Sequence, residues 1–136
     1  MRNKLFLFFL VFFAGLAIPA QAVEYDADIY ISHDDARSTI DVSVGDIIAV
    51  ELKSRISRRN IDGIWSRTEK PSFLRPIGSG TGDKATEAEF RKGNFWAVFY
   101  FKVEEAGVGT LRFEKTPFNG RRNRVLRRFN VNISST

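Results

Sequence analysis

The chain has no cysteine. That excludes a thiol nucleophile, a cysteine metal site and a disulfide framework, so packing alone must hold the fold. There is a single histidine, His33, in the acidic turn His33-Asp34-Asp35. One histidine makes neither a usual zinc site nor a supported Ser-His-Asp arrangement, and it reads as a solvated turn residue. The adjacent pairs Asp34-Asp35 and Glu104-Glu105 point apart in an extended chain, so neither resembles a shared-proton dyad. Gly78, Gly80 and Gly82 are regularly spaced, but no Lys-Ser/Thr follows them, which speaks against a phosphate cradle. An enzyme is the least supported class, and no metal or cofactor is expected. A long amphipathic helix is also missing. Thr86 to Lys92 has some helical propensity but is too short to count as a helix.

What the chain has is phenylalanine, at 13 of 136 residues, and short alternating runs. Gly93 to Val103 is nearly all apolar, aromatic and β-branched, as in a strand buried on both faces. Phe99, Phe101 and Val103 share one face; Val98, Tyr100 and Lys102 share the other. After a corner at Glu104 to Gly109, Leu111 and Phe113 alternate with Thr110, Arg112 and Glu114, a strand beside water. Shorter strands are predicted at Asp28–Ile31, Ile40–Val44, Ile48–Leu52, Ile64–Thr68, Phe73–Ile77 and Phe129–Ile133. Trp65 reads as a core anchor, and Pro76 makes its strand an edge. Lys53 to Gly63 reads as a long basic loop and Gly78 to Asp83 as a flexible connector. The pattern is all-β: an immunoglobulin-like β-sandwich of seven to eight strands.

Met1 to Ala22 has a basic start, a short apolar run and a small-x-small end. That predicts a signal peptide over 1–22 and one domain over 23–136, exported to the periplasm or secreted. The formal net charge of +5 falls to +3 once Arg2 and Lys4 leave with the leader. The domain's first part is acidic and its remainder basic. Arg121, Arg122, Arg124, Arg127 and Arg128 form the strongest charge cluster. It is either a soluble rim or a patch for weak binding to an anionic surface. Nothing points to nucleic acid, and a monomer is expected.

What remains is a set of loops at the strand ends. Lys53–Gly63, Lys92–Phe95 and Thr116–Gly120 are placed to gather at one end of such a sandwich. Phe118 stands between Pro117 and Asn119-Gly120, so an aromatic ring is placed at a turn with little freedom to lose.

These residues resemble the chagasin family, immunoglobulin-like protein inhibitors of papain-type cysteine peptidases. The likeness spans Thr39 to Ile133. Thr39 to Asp46 is similar to the family's opening strand and its Val-Gly-acid turn. Trp65 matches the Trp after the first inhibitory loop, and Glu105-Ala106-Gly107 the corner before the sixth strand. Thr116-Pro117-Phe118 stands where the family has Arg-Pro-Trp, and Lys92-Gly93-Asn94-Phe95 where it has a glycine-rich loop. Arg58 to Gly63 replaces the usual Asn-Pro-Thr-Thr-Gly. The resemblance implies a papain-like peptidase as partner, bound by three loops wedged into its cleft. Asn60, Ile61, Asp62 and Gly63 would approach the catalytic centre. Gly93, Asn94 and Phe95, with Thr116, Pro117 and Phe118, would clamp either side. The alternative is an exported Ig-like module that binds a protein or an anionic surface without inhibiting anything.

Overall fold

The computed structural model describes residues 25–57, 60–82, 85–117 and 124–136, with the backbone alone at 60. The predicted leader lies outside them. Nine strands are described: β1 (Ile29–Ile31), β2 (Thr39–Val42), β3 (Ile47–Ser57), β4 (Asn60–Ile61), β5 (Gly63–Glu69), β6 (Leu74–Thr81), β7 (Asn94–Val103), β8 (Gly107–Pro117) and β9 (Arg127–Ser135). A 3-10 turn at His33–Asp35 and one short helix, α1 (Glu87–Arg91), complete them.

Eight strands make two sheets, ordered β1-β3-β7-β6 and β2-β9-β8-β5, and β4 pairs only with the end of β3. β1 and β2 pair in parallel with β3 and β9; the other pairs are antiparallel. The inner faces meet over Ile48, Val50, Leu52, Phe101, Val103, Leu111, Phe113, Phe129, Val131 and Ile133, all buried. The face assignments predicted for β7 and β8 hold. Phe99 and Phe113 bridge the sheets with ring centres 4.8 Å apart. Trp65 joins this core, and β6 with its Pro76 is an edge strand.

The first sheet is covered outside as well. Ala49, Val98 and Tyr100 are buried beneath Tyr25, Ala27, Ile47 and Ile77. Tyr25 Oη donates to Ile77 O at 3.0 Å, and its ring meets Tyr100 edge-on at 5.1 Å. Glu51, on the same face of β3 as Ala49, is buried too.

Four expectations are corrected. Lys53 to Gly63 is not a long loop: β3 runs on to Ser57 and folds tightly onto β4, with Ser57 opposite Asn60. Buried but polar Ser54, beside exposed Arg55 and Ser57, made this part of the strand read as a loop. Gly78 to Thr81 is not a connector but the end of β6, laid against Tyr100 to Ala97. α1 exists because Thr86 caps it, its side chain accepting from Glu89 N at 3.2 Å. The second strand stops at Val42, and Val44 is exposed in the Gly45 turn.

Candidate functional site

The flanks of all three loops lie at one end of the sandwich. β3 carries Ser54 opposite Phe95 and Arg55 opposite Asn94, which brings the first two together. β5 carries Gly63 opposite Pro117 and Ile64 opposite Thr116, which brings in the third. The chain crosses from one sheet to the other at Asp62, so the first loop joins the two layers.

Asp62 is the hub of that crossing. It exchanges bonds with Arg55: Asp62 N donates to Arg55 O at 2.8 Å, and Arg55 N donates to Asp62 Oδ1 at 3.0 Å. Its other oxygen accepts from Lys115 Nζ at 2.9 Å. Lys115 is buried, and its ammonium also lies 5.7 Å from the Trp65 ring centre. A buried ammonium costs several kcal/mol unless it is paired, so the pair sets where both groups sit. Partial burial pushes the Asp62 pKa up, but the Lys115 and Arg55 bonds outweigh it and hold the carboxyl below its usual range. Gly63 leaves no room for a side chain, since a Cβ would lie 2.7 Å from Thr116 O and 2.8 Å from Lys115 Cγ.

The second loop is built by α1. Gly93 ends the helix at φ +86°, a region that favours glycine, and its N–H donates to Phe90 O at 3.0 Å. Its carbonyl accepts from Ile56 N at 2.8 Å, which ties the second loop to the first. Glu89 fixes the start of β7: its Oε1 accepts from Asn94 Nδ2 and from Trp96 Nε1, each at 3.0 Å. Those bonds, the one from Trp96 foremost, pull the Glu89 pKa down to about 2.

Beneath the loops lies His33. Its Nε2 accepts from Lys53 N at 2.8 Å, and its ring sits among Trp65, Trp96 and Phe129, at 5.8, 5.9 and 6.0 Å. It is not a solvated turn residue but a neutral wedge. Burial first, then the charges of Arg127, Lys53 and Lys115, push its pKa down to about 4. Trp65 Nε1 donates to Lys53 O at 3.0 Å, closing the bracket below the first loop.

Of the sequence-predicted site residues, Asn60, Ile61, Asp62, Gly63, Gly93, Asn94, Phe95, Thr116 and Pro117 border this end. Phe118 lies outside the described residues. Of the arginine cluster, Arg121 and Arg122 also lie outside them, and Arg128 pairs with Glu114 at 3.0 Å. Sequence reasoning missed Lys115, Glu89 and His33. Parity carried a signal for Lys115, which follows Leu111 and Phe113 on the inward face. The Thr86-x-x-Glu89 spacing signalled a helix start, although the Glu89 carboxylate turns to Asn94 and Trp96. Among the described residues, no group of His, Cys, Asp and Glu could hold a metal ion.

Two sheets with these pairings, closed over one inner core, define an immunoglobulin-like β-sandwich. No protein-family model and no curated protein matches the chain. Solved structures do. The cysteine protease inhibitor EhICP2 from Entamoeba histolytica is similar at TM-score 0.63 and 12% identity, over 79% of this chain and 96% of that one. Amebosin is similar at TM-score 0.55 and 11% identity, over 79% of this chain and 97% of that one. PbICP-C, solved in complex with falcipain-2, is similar at TM-score 0.50 and 8% identity, over 85% and 98%. At these identities the likeness is one of fold.

Proposed function

We propose that the domain is an exported inhibitor of papain-like cysteine peptidases that enters the active-site cleft with its three-loop end. Asn60 to Gly63 approach the catalytic centre. Gly93 to Phe95 and Thr116 to Phe118 clamp the cleft on either side, with Phe118 as an aromatic anchor. The observation that carries this reading is the bracing of the loop flanks: Asp62 to Lys115 and Arg55, and Gly93 to Ile56. Loops held in place before binding lose little freedom on binding, which is what a cleft-blocking wedge needs. The fold shared with EhICP2, and the complex of PbICP-C with falcipain-2, support a cysteine peptidase as the partner.

The test is a titration of residues 23–136 against papain and a cathepsin-L-like enzyme, with Phe118→Ala alongside. Tight reversible inhibition is expected. Truncating an aromatic anchor commonly costs about 2 kcal/mol or more, so Phe118→Ala should weaken it by about 30-fold with the melting temperature unchanged. Absence of inhibition of both enzymes at micromolar concentration would overturn the reading. Early melting of the variant would make Phe118 a core residue instead of an anchor.

A further inference from the structure

α1 is turned inside out for a surface helix. Its Glu89 faces inward to Asn94 and Trp96, whereas Phe90 beside it is 58% exposed. Leaving a Phe in water forfeits the gain of burying its ring, so the position needs a reason. Phe90 and Phe95, with Thr81 and Ala85, line an open groove of about 330 Å³. The groove is continuous with the second loop, because Asn94 and Phe95 belong to both. It is also fixed by the same turn: Phe90 N donates to Thr86 O at 2.9 Å, and Phe90 O accepts from Gly93 N. On the helix face, Glu87 and Arg91 pair with each other at 2.8 Å. Glu87, the one charged residue among the described lining residues, thus already has its partner, and two phenylalanines ask for an apolar one.

We propose that this groove is a fourth contact of the inhibitory end, receiving an apolar side chain from the rim of the papain-like peptidase cleft. It rests on the inhibitor reading and extends the footprint beyond the three loops. The second loop and α1 then act as one rigid clamp: Gly93 to Phe95 border the cleft, and Phe90 closes on the peptidase surface beside it.

The experiment compares wild type, Phe90→Ala and Phe90→Leu in residues 23–136 by inhibition of papain and a cathepsin-L-like enzyme, thermal melting and sedimentation. Phe90→Ala should weaken inhibition about tenfold, mostly through faster dissociation. Phe90→Leu should keep most of the affinity, and all three should melt together because Phe90 is exposed. Wild-type inhibition with Phe90→Ala within twofold of it would overturn the groove and leave the three-loop reading standing. If wild type inhibits neither enzyme, both fall. A wild-type dimer that Phe90→Ala abolishes would assign the groove to a second copy of this chain and overturn the proposal.

Discussion

Lys115 and His33 show how far one side chain decides the shape of this end. Lys115 sits on the inward face of β8 with its ammonium on Asp62, a partner that is itself 40% exposed. Removing one member of a fully buried pair costs about 3–5 kcal/mol; with one partner half in water, Lys115→Ala should cost about 2 kcal/mol. Urea unfolding should report that loss, and inhibition should weaken too, since Asp62 then loses its tether to β8. His33 gives a pH signature. Its folded pKa of about 4 lies below the ordinary 6.5, so between those values the unfolded chain binds the extra proton. Stability should therefore be full above pH 6.5 and fall as pH drops toward 4. His33→Gln, whose side-chain oxygen can still accept from Lys53 N, should flatten the urea midpoint between pH 6.5 and 5. An unchanged slope would mean that His33 is not the group responsible. Parity alone could have found Lys115, but nothing in the sequence could have found His33. Its neighbours come from β3, β5, β7 and β9, and only the fold brings them together.

At the scale of elements, alternation was legible where one strand face is wet and the other dry. β8 and β9 lie that way, and β7, dry on both faces, showed as a continuous apolar run. Alternation failed where polar residues stand on both faces, as buried Ser54 and exposed Arg55 do in the outer half of β3, or where glycines replace the pattern, as in β6. It also failed where a cap outweighs length, as in α1. That helix yields the sharpest element-scale prediction. Gly93→Ala must hold an L-residue at φ +86° and bring a Cβ to 3.0 Å from Ile56 O. It should lower stability by about 1–2 kcal/mol. Thr86→Ala removes the cap and should cost about 1 kcal/mol. Both should weaken inhibition more than exposed substitutions of equal stability cost, because both loosen the second loop. A loss of stability with inhibition intact would separate α1 from the function.

At the scale of the molecule, the sandwich is held from inside by one aromatic and aliphatic core and from outside by residues 25–28. Asp28 anchors that segment: its N donates to Ile47 O and its Oδ2 accepts from Ile47 N, each at 2.8 Å. A chain beginning at Ile29 should expose the Ala49, Val98 and Tyr100 face, melt earlier and bind an apolar dye. The architecture and the meeting of the loop flanks at one end were legible because both follow from strand order and turn positions. The bracing of the loops was not, because Asp62 and Lys115 are 53 residues apart in sequence. The central claim is that this braced end fills a peptidase cleft. It is tested most directly by the rate at which an alkylating reagent labels the active-site thiol of papain in the presence of residues 23–136. The account predicts that labelling slows in proportion to added domain and stops at one equivalent, with the domain recovered uncleaved. Labelling at an unchanged rate under micromolar excess of the domain would contradict it.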